Sequence, residues 1–174
     1  MNKKDALFWI EQLQLEPHPE GGSFARTYQS GFYTSKELNN CRVTRRCASL
    51  IYFLLQKGEY SHFHRLQSDE IWLYQQGGPL TIYMITPGQE WFVERLGPNP
   101  DQHENLQVLI PAGSWFAAHL DASVDFCLMS CLVSPGFEWE DFELAETGDL
   151  IRQFPQHAEL LAKMQKDRRL HKNL

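Results

Sequence analysis

Apolar positions along the chain change period twice. Near the N-terminus Ala6, Trp9, Ile10 and Leu13 recur at helical spacing, with no Gly or Pro before Pro17. That predicts a helix over about 4–14. Pro17-His18-Pro19-Glu20-Gly21-Gly22 then forbids a helix and predicts a shaped loop. From there to about residue 145 the pattern is one of short strands. Phe24 to Gln29 is the first, and Phe32 to Asn40 reads as a surface excursion with a turn of helix. Ala48 to Leu55 is apolar on both faces, as in a strand covered on both sides. Tyr60–His64, Glu70–Tyr74, Leu80–Thr86, Trp91–Arg95, Leu106–Ile110, Trp115–Ala118 and Val124–Val133 follow, separated by turns rich in Gly and Pro. Beyond Ser134-Pro135-Gly136-Phe137, a structural turn, Ala158, Leu160, Leu161 and Met164 restore the helical period and predict C-terminal helices over about 147–170.

Strands at such even spacing predict an all-β sandwich or barrel. A chain of 174 residues suits one domain, 1–174, with a barrel core over about 20–145. The aromatic share of 13% fits strands and a lined pocket. Net charge is -6, and the only basic clusters are Arg42 to Arg46 and Lys166 to Arg169. The first flanks a strand and the second solvates a helix end, so no nucleic-acid face is expected. No stretch approaches the ~20 apolar residues of a membrane span, and no signal-like run follows Met1. Cys41, Cys47, Cys127 and Cys131 form no Cys-x-x-Cys pair and read as small buried side chains in a reducing compartment. A cytoplasmic protein is expected.

The chemistry centres on Ser61-His62-Phe63-His64-Arg65 and Asp69-Glu70-Ile71-Trp72. On a regular strand His62 and His64 share one face. A hairpin would return Glu70 beside them, with Trp72 and Tyr74 on its face and Asp69 opposite. Two imidazoles and a carboxylate are candidate ligands for iron, manganese, nickel or zinc. The same groups make an acid–base site without metal, because a histidine held by a carboxylate exchanges protons at neutral pH.

Gly58, His62-x-His64, Glu70 and Gly77 resemble the first cupin motif, and Pro111-Ala112-Gly113 resembles the start of the second. Pro17 to Gly22, Ser61-x-x-His64-Arg65, Ser68 to Trp72, Trp115-Phe116-Ala117-Ala118 and Pro135-Gly136-Phe137 are similar to the fifth cupin family, a branch without an agreed reaction. The resemblance spans roughly Leu13 to Ala145. It implies a double-stranded β-helix, the cupin jelly-roll barrel, flanked by N- and C-terminal helices and paired as a homodimer. Its wider relatives include sugar epimerases, isomerases, dioxygenases and storage proteins. Metal-binding cupins carry a further histidine three residues after the glycine of the second motif, where this chain has Phe116. His119 faces away from Phe116 on a regular strand. His62, His64 and Glu70 are then the only metal ligands these motifs supply.

Other residues are candidates for ligand contact. Arg26 and Tyr28 are two apart on the first strand, and Arg26 offers a donor fork to an anionic or hydroxylated ligand. Glu20 stands beside bare Gly21-Gly22 amides. Ser49 and Tyr52 lie on the long apolar strand, Trp72 and Trp115 are stacking surfaces, and Gln107 is polar within an apolar strand. His18, His103, His157 and His171 read as solvated. The expected function is binding of a small sugar-like or carboxylate metabolite, with proton transfer of epimerase or isomerase type. His64 is the acid or base beside Glu70, with Tyr28 or Tyr52 opposite. The alternatives are a metal-dependent oxygenase or isomerase using His62, His64 and Glu70, and a binding protein without catalysis.

Overall fold

The computed structural model describes residues 4–38 and 41–164. Two antiparallel sheets face each other as a jelly roll. The larger contains β1 (Glu16–Pro17), β2 (Ser23–Gln29), β5 (Ser49–Gln56), β7 (Asp69–Gly77), β10 (Gln107–Ile110) and β12 (Phe126–Ser134), in the order β1-β2-β5-β12-β7-β10. The smaller contains β6 (Tyr60–Leu66), β8 (Leu80–Ile85), β9 (Trp91–Leu96), β11 (Trp115–Leu120) and β13 (Phe142–Leu144), in the order β13-β6-β11-β8-β9. The double-stranded β-helix with flanking helices is therefore the fold. Phe53, Trp72, Ile82, Phe116 and Met129 fill the space between the sheets.

The doubly apolar reading of β5 has a direct cause. Its odd positions face the interior, while Leu54 on the other face is sealed by α1 (Ala6–Leu13) through Ala6, Trp9, Ile10 and Leu13. Asp5 caps that helix, its carboxylate accepting the Phe8 amide at 2.9 Å. At the other end α2 (Thr147–Gln153) and α3 (Ala158–Lys163) cover the outside of the smaller sheet. Leu150, Phe154, Leu161 and Met164 pack there on Phe63, Ile85 and Ala117. The expected helix beyond Met164 and the Lys166–Arg169 cluster lie outside the described residues. No described helix is long and apolar enough to cross a membrane.

One expectation is corrected. Phe32 to Asn40 is not helical: β3 (Tyr33–Leu38) pairs with β4 (Cys41–Arg46) as a separate two-stranded arm. The arm is polar because only one side touches the barrel, so neither period marks it. Lys36 donates to Ser68 Oγ at 2.9 Å and to the Gln67 carbonyl at 3.1 Å, and Arg45 buries itself against Asp141.

Candidate functional site

The site is built on a bulge. Along β6 and β11, Phe116 pairs with His64 and Ala118 with Ser61, so His62 and Phe63 together oppose Ala117. This two-against-one insertion reverses the alternation. Ser61 and His64 both face inward, while Phe63 packs under the C-terminal helices. The bulged His62 amide donates to the Glu20 carbonyl at 2.8 Å, fastening the 18–22 loop to β6. That loop is tight: His18 N–H donates to Gly22 O, and Gly21 N–H to His18 O, each at 3.0 Å. Gly21 sits at φ +110, where a Cβ would strike the Tyr60 carbonyl, so only glycine lets the loop approach this closely.

The loop delivers Glu20 into the barrel. Its Oε1 accepts from Ser61 Oγ at 2.9 Å, and its Oε2 lies 3.1 Å from His64 Nε2 and 3.3 Å from His18 Nδ1. His64 Nδ1 is 2.8 Å from the His62 carbonyl and must carry the proton there. In the neutral ring Nε2 is then an acceptor facing an acceptor oxygen, so Glu20 and His64 must share one proton. His18 Nδ1 receives the Glu20 amide at 3.3 Å, and its ring stacks on Trp139 at 5.7 Å. Burial pushes His64 down to about 3, the His18 and His62 rings adding to this against the pull of the His62 carbonyl.

Glu20, Arg26, Ser49, His64 and Glu70 all line one cavity of about 530 Å³, open at its mouth. Phe24, Phe53, Phe137 and Phe142 form much of its wall. Glu70 enters from β7 in the larger sheet and His64 from β6 in the smaller. Ser49 is committed structurally, its Oγ accepting the Phe137 amide at 2.9 Å.

The remaining candidates lie elsewhere. His62 is turned out by the bulge, its Nδ1–H donating to the Met164 carbonyl at 2.9 Å. A second bulge, between Arg26 and Tyr28, places Tyr28 beside Leu50 on the outer face of the larger sheet, 51% exposed. Tyr52 shares that face by alternation and packs towards α1. Trp72 is core beneath the cavity, between Phe53 and Phe116. Trp115 faces outward under the Arg65 guanidinium, which also pairs with Glu143. Gln107 borders a separate groove between β9 and β10. His18 corrects the reading of a solvated ring, since its side chain is 8% exposed and lines the cavity. Phe137, read as part of a structural turn, lines it too. The two-residue step from His18 to Glu20 in a loop rich in Pro and Gly was the available signal for His18.

The metal set of His62, His64 and Glu70 does not fit. His62 is on the wrong face, and Phe116 fills the space beside His64 with ring centroids 4.0 Å apart. Among the described residues no three His, Cys, Asp or Glu side chains are grouped to hold a metal ion.

Burial pushes the Glu70 carboxyl up to about 7, opposed by the nearby Trp72 indole and Cys131 thiol. The indole N–H nevertheless makes no hydrogen bond of regular geometry. Between about pH 4.5 and 7 the folded chain keeps a proton that the unfolded chain gives up, so stability falls as pH rises through that window. Glu70→Gln is expected to stabilise the fold by roughly 2–3 kcal/mol at pH 8 and by almost nothing at pH 4.5. Thermal melts at both pH values check this, and an equal gain at each would refute it. His64 acts in the opposite direction: its low folded pKa removes stability as pH falls from about 6.5 to about 3.

The family described as Cupin superfamily (DUF985) matches residues 8–145. A hypothetical protein from Leishmania major is 34% identical, with a TM-score of 0.86 over 94% of this chain and 99% of that one. A Shewanella oneidensis protein is 39% identical, with a TM-score of 0.83 over the same shares. An oxalate decarboxylase variant from Bacillus subtilis is 10% identical, with a TM-score of 0.53 over 86% of this chain and 37% of that one, a likeness of fold alone. A comparison with curated proteins gave no significant match.

Proposed function

The chain belongs to the cupin superfamily, in the family DUF985, and from that premise we propose that its barrel binds a small polar metabolite and moves a proton on it without a metal, in chemistry of isomerase or epimerase type. The observation that carries this reading is the convergence of two buried carboxyls and one imidazole, brought by a loop and by opposite sheets, on a single cavity. Glu70, held near 7, is the base that takes a carbon-bound proton. The Glu20–His64 pair holds the proton that returns, with Ser61 and the His62 carbonyl fixing both partners. Arg26 at the mouth orients an anionic or hydroxylated end of the ligand. Phe53 and Phe142 keep water from the reacting groups. Nuclear magnetic resonance in heavy water tests the reading: a carbon-bound hydrogen of at least one compound in a panel of sugars, keto acids and amino acids should exchange. An absence of exchange across the whole panel would overturn it.

A homodimer belongs to the same reading. Tyr28, Leu50, Leu132, Ile71 and Leu109 form one cross-strand row on the outer face of the larger sheet. In the next row Ala25 and Tyr52 pack towards α1, and Ser130, Leu73 and Gln107 continue the face beyond it. Neither row carries a charge, so two copies of a chain with net charge -6 can approach there. Five strands at about 4.8 Å and two rows about 7 Å apart make roughly 300 Å² of flat area, the centre of a small dimer contact. Sedimentation should give a dimer at micromolar concentration and a folded monomer for Tyr28→Lys/Leu109→Lys. A monomeric wild-type chain would refute the assignment.

A further inference from the structure

The charge layout of the cavity narrows its ligand. Glu70 is 6% exposed and makes no ion pair with any described residue, although it lines an open cavity. The other interior polar groups are Glu20, bound to Ser61 and His64, the neutral His64 ring, His18, Ser49 and the Cys131 thiol. None of these is a lysine or an arginine. The wall between them is apolar, from Phe24, Phe53, Phe137 and Phe142 with Ile51, Leu66 and Val133, and its aromatic rings can take a cation against their faces. Among the described residues that line the cavity, Arg26 is the one lysine or arginine. It stands on β2 in an exposed position, with no hydrogen bond or ion pair to any described residue. The interior thus favours positive charge and the rim favours negative charge. A cavity of about 530 Å³ suits a small ligand.

We propose that the ligand is a small zwitterion, its ammonium group held by Glu70 and the phenyl walls and its carboxylate held by the Arg26 fork. This rests on the metabolite-binding reading and names its substrate class. An ammonium group supplies the counter-charge that Glu70 lacks, so the carboxyl ionises on binding and is set beside the carbon that carries the nitrogen. A plain carboxylate would satisfy Arg26 and leave the interior unmatched. A neutral polyol would meet mostly apolar surface.

Isothermal titration with L-alanine, D-alanine, glycine and β-alanine, beside propionate and propylamine, tests this on the full chain. At least one zwitterion should bind more tightly than propionate or propylamine by about tenfold or more, the worth of one further charge-assisted hydrogen bond. Arg26→Gln should reduce its affinity to about that of propylamine, and Glu70→Gln to about that of propionate. Circular dichroism confirms that both variants fold. Tighter binding of propionate or glycerol than of every zwitterion overturns the proposal, as does an absence of zwitterion binding. Deuterium exchange on a sugar or keto acid without zwitterion binding removes the ligand class and leaves proton transfer standing. Zwitterion binding with no exchange on any compound removes proton transfer and leaves the ligand class standing.

Discussion

Asp141→Ala is expected to destabilise the protein by about 3 kcal/mol, the low end for breaking a buried ion pair, because Arg45 keeps only its exposed partner Glu140, 3.0 Å away. Arg45 Nε and Nη2 donate to the two Asp141 oxygens at 2.9 Å each, and Lys36 Nζ lies 3.1 Å from Oδ2. Asp141 is 4% exposed and Arg45 7%. Burial alone would raise the Asp141 carboxyl. The Arg45 and Lys36 hydrogen bonds and charges outweigh it and hold the group below its usual range. Its stabilising contribution is therefore present above the ordinary carboxylate range and is lost as pH falls through the lowered folded value. The cluster also fastens the β3–β4 arm to the segment carrying Phe137 and Phe142, so ligand binding should weaken with stability. Denaturant titration of Asp141→Ala, Arg45→Met and the double variant checks the argument. The double variant should recover much of the loss, because no charge is then stranded at Arg45. A single-variant loss under 1 kcal/mol would show that water reaches the cluster.

His64→Ala is expected to slow any proton exchange supported by the wild-type chain by about a hundredfold to ten-thousandfold, the range for losing a positioned acid–base group. Glu20→Gln should cost a similar factor, since an amide in place of the carboxyl cannot pass the shared proton. If the two act as one unit, the double variant should be no slower than the poorer single variant. Multiplicative losses would mean that Glu20 and His64 act separately. A His62→Ala chain should keep its exchange rate, because that ring lies outside the barrel against Met164. A large loss there would contradict the bulge.

That His64, Glu70 and Glu20 line one cavity was legible because their surroundings are local and distinctive: an isolated histidine pair, a carboxyl opening a strand, a loop of Pro and Gly. Tyr28 and His62 were misplaced for a shared reason. Each was assigned a face by counting two from a correct neighbour, and in each case a bulge lies between. His18 was hidden because a histidine between two prolines looks the same whether its ring points to water or into a barrel. The partner of His64 was misjudged as well. Glu70 is close in sequence, yet Glu20 reaches Nε2, through a loop anchored on the bulged amide of His62.

The chain by itself determined the all-β class, the helices at both ends and the strand that carries the candidate chemistry, which follow from period, turn residues and composition, properties of short segments. The jelly roll came from the resemblance of its motifs to the cupins. Only the tertiary structure decided which side of each strand meets the cavity. A bulge is a mismatch between two strands and leaves no mark on either one alone. The same mismatch separates His62 from His64, dismantles the metal set their spacing suggested, and leaves His64 paired with Glu20.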